Sequence, residues 1–299
     1  MKNFDTSLYF ITDSTGYEEN EFLARVEAAL QGGVTILQLR EKTRSTREYV
    51  ALAEKVHALT KKYQVPLIID DRVDVALAVD AEGVHIGQSD MPYSIARELL
   101  GPDKIIGLSV ENIDDLLQAN DLDVDYVGIS PVFATQTKTD TAKPFGIEGL
   151  KEAVRMSIHP TVAIGGMNST TAAEVMQTGC DGIAVVSAIS SAQDICGAAK
   201  ELKQIVDTNA TESWCQEVWR KSNKIYKAIL GQKFIGELSG GTMALERFAS
   251  YIAQDEHYLK GYYAHMLTAA EMMDTPQNRE MFTAIAKSGM EGEKLMHEF

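Results

Sequence analysis

The sequence predicts an α/β protein: a (β/α)8 TIM barrel over residues 1–207, then a small all-α helical appendage over 212–299. Three observations carry this prediction. Short apolar, β-branched runs alternate with longer amphipathic stretches. The runs are near-continuously apolar, as in parallel strands covered on both faces. Eight of them occur before about residue 205 and none after it. A length of 299 residues accommodates one barrel plus a smaller unit.

The eight runs are Leu8–Asp13, Thr35–Arg40, Pro66–Asp71, Gly83–Gly87, Ile105–Val110, Tyr126–Pro131, Thr161–Gly165 and Gly182–Ile189. Helical spacing separates them, least clearly after the fourth, where the helix is expected at Tyr93–Leu100. Eight repeats favour closure over an open doubly wound sheet, and no GxGxxG motif follows the first run. Asp207–Ser213 is polar and reads as a linker. Beyond it, helices are expected at Glu212–Leu230, Met243–Met273 and about Gln277–His297, with Gly240-Gly241 as a break.

Composition limits the function classes. The net charge is -15, which argues against a nucleic-acid partner and requires any phosphate to be held by local cations, a metal or backbone N–H groups. The three cysteines show no CxxC spacing, the start has no apolar signal region, and no apolar run is long enough for a bilayer. A cytoplasmic protein without a membrane partner is expected.

In this fold the chemistry sits at the C-terminal ends of the strands. Strand 2 ends in Gln38-Leu39-Arg40-Glu41-Lys42, an amide and two cations suited to an anionic ligand. A surface ion pair is the plain alternative. Strand 3 ends in Asp70-Asp71, and strand 4 is followed by Asp90. Carboxylates beside a phosphate site need a hard cation such as Mg²⁺ between them. One of Asp70 and Asp71 is expected to cap the helix over 72–79 instead, and Asp74 to be solvated. The loop Ala134–Asp140 carries Thr135, Gln136, Thr137 and Lys138 and could close as a lid over phosphate. Gly165-Gly166 and Val186-Ser187 occupy the usual phosphate position after strands 7 and 8. No Ser/His/Asp or Cys/His nucleophile stands out; His85 and His159 read as satisfied structural histidines. Transfer chemistry on a diphosphate fits these features better than covalent hydrolysis.

The same segments, in order, resemble thiamine-phosphate synthase: QLREK, DDRVDVALAVDAEGVHIGQSD, GLSVEN, YVGISPVFATQTKTDTAKPFGIEGL and VAIGGMNSTTAAEVMQTGCDGIAVVSAIS. Any one block is weak; the ordered set is specific. The resemblance implies a transferase that joins a hydroxymethylpyrimidine diphosphate to a thiazole phosphate with Mg²⁺ and releases pyrophosphate. It implies that Gln38, Leu39, Arg40, Glu41, Lys42, Ser109 and Lys138 hold the pyrimidine diphosphate, with Asp70 and Gln136 also at substrate-binding positions. Asp71 and Asp90 would bind Mg²⁺, and Thr135, Thr137, Gly166, Val186 and Ser187 would hold the thiazole phosphate. Arg40, Lys42 and Lys138 would stabilise the leaving charge. One departure stands out: the family places Asn where this chain has Asp70, and a carboxylate cannot donate to phosphate unless protonated. A related thiazole tautomerase of the TenI type and a non-catalytic thiamine-precursor sensor are the rival readings.

The tail resembles the N-terminal part of TenA-type thiaminase II over GELSGGTMALERFASYIAQDEHYLKGYYAHML, with Gln254-Asp255 and Tyr258 at the pyrimidine-binding positions. Plain helix packing is the alternative, with Phe248, Tyr251, Ile252, Tyr258, Leu259 and Tyr262 as core. Only Cys215 is available as a tail nucleophile, and it precedes the motif that the family's cysteine follows. The tail is therefore expected to be a packing or homo-oligomerisation element.

Overall fold

The computed structural model describes residues 4–134, 143–210, 228–229 and 231–297. Thr135, Gln136, Thr137, Lys138 and Cys215 lie outside the described residues. The chain divides into two compact units, Met1–Ser213 and Trp214–Phe299.

The first unit is a closed parallel barrel in which each strand pairs with the next and β1 pairs with β8. Its strands are β1 Leu8–Ile11, β2 Ile36–Leu39, β3 Leu67–Asp70, β4 Gly83–Ile86, β5 Ile105–Val110, β6 Tyr126–Ile129, β7 Thr161–Ile164 and β8 Gly182–Val185. Between and after them run α1 Glu19–Gln31, α2 Thr46–Tyr63, α3 Val73–Val79, α4 Tyr93–Leu100, α5 Ile113–Asn120, α6 Gly146–Met156, α7 Ala172–Met176, α8 Ser187–Ser190 and α9 Ile195–Asn209.

Strand alternation builds two apolar layers. Leu8 and Phe10 face the shell between sheet and helices with Leu37, Leu39 and Ile69. Tyr9 and Ile11 face the barrel interior with Ile36, Ile68, Ile105, Tyr126, Val162 and Ala184. Both sides are dry, which is why the strands read as continuous apolar runs. Ser45 and Glu48 form a capping box that starts α2.

Three expectations are corrected. The eighth strand ends at Val185, because Val186 leaves the extended conformation (φ -113, ψ -85) and Ser187 opens α8. The polar residues from Asp207 to Asn209 continue α9 rather than starting a linker. Lys203 pairs with Asp207 one turn on, Asn209 Nδ2 donates to Ile205 O at 2.8 Å, and buried Val206 holds the last turn down. Neither Asp70 nor Asp71 caps α3: Arg72 occupies the cap position without a side-chain cap bond, and it donates through Nε to Asp74 at 2.8 Å.

The second unit contains α10 Lys233–Ser239, α11 Leu245–Glu271 and α12 Pro276–His297, with α11 packed on α12. Gly241, at φ 64, makes the expected break. Helix α10 was not foreseen, and most of the helix expected over Glu212–Leu230 lies outside the described residues. The predicted aromatic core is not one. Phe248, Tyr251, Tyr258 and Tyr262 are all exposed, and among the residues whose side chains are described in this unit only Ala270 and Ala286 are buried apolar residues. Phe234 of α10 also meets Tyr251 of α11, with ring centroids 5.1 Å apart.

Candidate active site

A cavity of about 510 Å³ opens at the C-terminal ends of the strands. Alternation sends Gln38 of β2 and Arg40, just past its end, toward it, and Lys42 joins them from the following loop. Asp70 and Asp71 enter from the end of β3, Asp90 from the loop after β4, and Ser109 from β5. Gly165, Gly166, Val186 and Ser187 form the wall after β7 and β8. The barrel thus gathers these eleven residues, all singled out from sequence.

Two others point elsewhere. Leu39 is fully buried in the outer shell, and its carbonyl accepts from Tyr49 Oη at 2.6 Å. Glu41 turns toward the loop ahead of it, taking Arg44 Nε at 3.0 Å, while its Oε1 is buried without a hydrogen-bond partner. The four loop residues Thr135 to Lys138 lie outside the described residues.

The charged rim is tightly paired. Lys42 Nζ lies 2.7 Å from Asp70 Oδ2 and also pairs with Asp71; Arg40 Nε stands 3.8 Å from Asp70 Oδ2. Burial pulls the Lys42 ammonium down, but the two carboxylates outweigh it and leave the group above its ordinary value. Asp71 adopts the left-handed region (φ 58), which aspartate tolerates better than most residues, and its N–H donates to His85 O at 2.8 Å. Asp90 Oδ2 accepts from Gly87 N at 2.8 Å. Burial first, and then the Asp71 carboxylate, push Asp90 above the usual carboxylate range.

This donor set suits a hard cation. The Asp71 carboxylate beside Asp90 makes the Asp90 charge costly, and a divalent ion between the two would relieve it; Mg²⁺ takes one or two carboxylates with the remaining oxygens from water and phosphate. Among the described residues no group of three or more His, Cys, Asp or Glu could hold a metal, so Asp71 and Asp90 would supply only part of a coordination shell. Asp71 and Asp90 fit Mg²⁺ in that role.

Sequence reasoning left out several wall residues. His85 lines the cavity, with Nδ1 3.0 Å from Tyr126 Oη and Nε2 2.9 Å from Ser109 Oγ. It is a satisfied histidine, as expected, but it is also part of the site. Its inward alternation between Gly83 and Gly87 was the available signal. His159 has only the structural part, Nε2 lying 3.0 Å from Ala119 O. Gln88 Nε2 donates to Ser109 O at 2.7 Å, and Glu111 and Ser130 complete the polar wall.

Residues 8–189 match the model of the family described as thiamine monophosphate synthase. The chain belongs to that family. Thiamine-phosphate synthase of Albidiferax ferrireducens is 50% identical over 200 residues, covering 67% of this chain and 91% of that protein. Its counterpart in Clostridium novyi is 48% identical over 198 residues, 66% of this chain and 97% of that protein. Among solved structures, thiamine phosphate pyrophosphorylase from Pyrococcus furiosus superposes with a TM-score of 0.63 at 42% identity, covering 69% of this chain and 97% of that one. As a member of the thiamine monophosphate synthase family, the chain is an enzyme, a transferase. The family match ends before the helical unit.

Proposed function

We propose that the barrel joins 4-amino-2-methyl-5-(diphosphooxymethyl)pyrimidine to a thiazole phosphate, giving thiamine phosphate and pyrophosphate. The observation that carries this reading is the arrangement of the cavity in a chain of this family. The cations Arg40 and Lys42 and the Asp71–Asp90 pair stand on one side, and the glycine-rich wall of Gly165, Gly166, Val186 and Ser187 forms another.

The reaction needs no protein nucleophile. The bond between the pyrimidine methylene and the diphosphate oxygen breaks, and its electron pair leaves with the diphosphate. The thiazole nitrogen then attacks the ring-stabilised cation and forms the new C–N bond. Arg40, Lys42 and Lys138 would bind the diphosphate oxygens and stabilise the charge that develops on them. Bound Mg²⁺, held by Asp71 and Asp90, would neutralise further diphosphate charge. Gln38 and Ser109 would orient the pyrimidine diphosphate. Gly166, Val186 and Ser187, with Thr135 and Thr137, would hold the thiazole phosphate, leaving the nitrogen in line with the methylene carbon.

Mixing both phosphorylated precursors with Mg²⁺ and the purified chain tests the proposal. Thiamine phosphate and pyrophosphate should appear in equal amounts. Conversion of a thiazole phosphate without any pyrimidine diphosphate would favour the tautomerase, and binding of both without product the sensor.

Cys180 and Cys196 are free thiols, in keeping with a reducing, cytoplasmic setting. We read the helical unit as a TenA-derived element that serves packing or self-association. Its exposed aromatic face supports that role.

A further inference from the structure

Five side chains from five strands form an unbroken hydrogen-bonded chain through the barrel. Gln38 Nε2 donates to Tyr9 Oη at 2.8 Å, and Tyr9 Oη lies 2.8 Å from Tyr126 Oη. Tyr126 Oη lies 3.0 Å from His85 Nδ1, and His85 Nε2 lies 2.9 Å from Ser109 Oγ. The first four side chains belong to buried residues, while Ser109 is half-buried at the cavity wall. Two glycines clear space for the rings. A Cβ on Gly107 would collide with the Tyr126 ring, and one on Gly128 would come within 3.2 Å of His85 Cε1.

The chain has a direction. An amide NH₂ only donates, and each hydroxyl has a single proton to give. Tyr9 accepts from Gln38, so the Tyr9 proton goes to Tyr126, and the Tyr126 proton goes to His85 Nδ1. His85 therefore carries its proton on Nε2 and donates it to Ser109 Oγ. The Ser109 proton is then spent on nothing within the chain, and Ser109 lines the cavity. In the opposite direction Ser109 would give its proton to His85 and could only accept from a ligand. Burial pushes both tyrosines far above the ordinary phenol value, so each keeps the proton it passes on.

We propose that His85 is a positioning residue: as the Nε2-protonated tautomer it fixes Ser109 as a hydrogen-bond donor toward the diphosphate group of the ligand. This rests on the diphosphate-transfer reading above. At neutral pH a diphosphate presents mostly ionised oxygens, which accept, so a serine held as a donor matches it, and one held as an acceptor opposes it. The polar chain thus carries a specificity decision from the barrel interior to the site, beyond satisfying its own buried groups.

Two measurements on the full chain with Mg²⁺ test this. The first is the nitrogen chemical shifts of the His85 ring, assigned by comparison with His85→Gln. The Nε2-protonated form is expected, and the Nδ1-protonated form overturns the proposal. The second is the affinity for inorganic pyrophosphate, which does not require turnover. Tyr126→Phe should weaken it by about tenfold, and Ser109→Ala by at least as much. Tyr126→Phe added to Ser109→Ala should then cost nothing further. An equal cost of Tyr126→Phe in both backgrounds means that it acts independently of Ser109 and defeats the idea. Should Tyr126→Phe not fold, Tyr9→Phe breaks the chain one link earlier. It should yield a mixture of both His85 tautomers, and an unchanged single tautomer is the contrary result. A wild type that binds pyrophosphate but makes no product sinks the synthase reading and not this one. A wild type that does not bind it sinks this one.

Discussion

Lys42 bridges two consecutive carboxylates, lying 2.7 Å from Asp70 Oδ2 while also pairing with Asp71. The cation best placed to meet a diphosphate is therefore held in part by the protein itself. Arg40 leans the same way, 3.8 Å from the same Asp70 oxygen. Asp70 is nearly buried and Lys42 is half exposed, so the interaction is only partly screened. Asp70→Asn keeps the shape, removes one negative charge from the rim and restores an amide that can donate to phosphate. It should tighten binding of the pyrimidine diphosphate about fivefold, roughly 1 kcal/mol. Calorimetric titration reads this directly, and an unchanged or weaker affinity would place Asp70 outside the diphosphate shell.

Residues 1–207 should show synthase activity that depends on Mg²⁺. Asp71 stands close enough to Asp90 to raise it above the usual carboxylate range, and a divalent cation between them would offset that repulsion. Excess EDTA should abolish turnover and added Mg²⁺ restore it. Asp90→Asn halves the carboxylate pair and should raise the Mg²⁺ concentration needed for half-maximal rate by about tenfold or more. Undiminished turnover in EDTA defeats the metal assignment.

Lys138→Ala should lower kcat by roughly 10²–10³ while leaving the unfolding midpoint unchanged, if the lysine neutralises charge developing on the leaving diphosphate. Steady-state kinetics with both substrates saturating makes the comparison. A loss below about tenfold means that Lys138 has no such role.

Gly107 makes room for Tyr126 on the neighbouring strand. Gly107→Ala forces a methyl group into a ring that is itself fully buried and fixed by hydrogen bonds to Tyr9 and His85. Overpacking of this kind costs about 1–3 kcal/mol. Urea unfolding should show a lower midpoint with an unchanged slope. A midpoint equal to wild type would mean that the barrel can relax around the added methyl.

The strands and the rim were legible in the sequence for one reason: barrel strands are short apolar runs whose polar residues collect just past their ends. Arg40, Asp71 and Asp90 were found that way. Tyr9 and Tyr126 were not, because both faces of these strands are dry. Alternation then cannot separate the interior from the helix-covered side. Leu39 and Glu41 came along with their motif, although alternation sends Leu39 away from the cavity. The pairing of Lys42 with Asp70 joins the ends of two strands, and that register is set by the closed sheet rather than by either segment alone. In the tail, helical periodicity located α11 and α12 but not what covers them. Tyr258 and Met272 lie on apolar positions, yet they are 65% and 75% exposed.

That exposure leads to the last prediction: the helical unit does not act as a thiaminase and instead self-associates or packs. Within residues 212–299 the one cysteine, Cys215, precedes the Gln254-Asp255 motif, whereas the resemblance to thiaminase II places the nucleophile after that motif. Tyr258, at a position expected to touch pyrimidine, lies open and stacks on Tyr262 with ring centroids 6.1 Å apart. Leu245, Phe248, Met281 and Ile285 add further exposed apolar surface to α11 and α12. Burial of such surface is worth roughly 25 cal/mol per Å², so a few hundred Å² gives a strong reason to find a partner. Sedimentation of the full chain should show a larger assembly than a chain cut after residue 210, and Phe248→Glu with Tyr262→Glu should shift the full chain toward the smaller species. The purified chain should release no pyrimidine from thiamine or from an aminopyrimidine. Release that disappears in Cys215→Ser would overturn the catalytic half of the prediction. An isolated helical unit that stays a stable, soluble monomer would overturn the packing half, because a face that needs no cover exerts no pull on a partner.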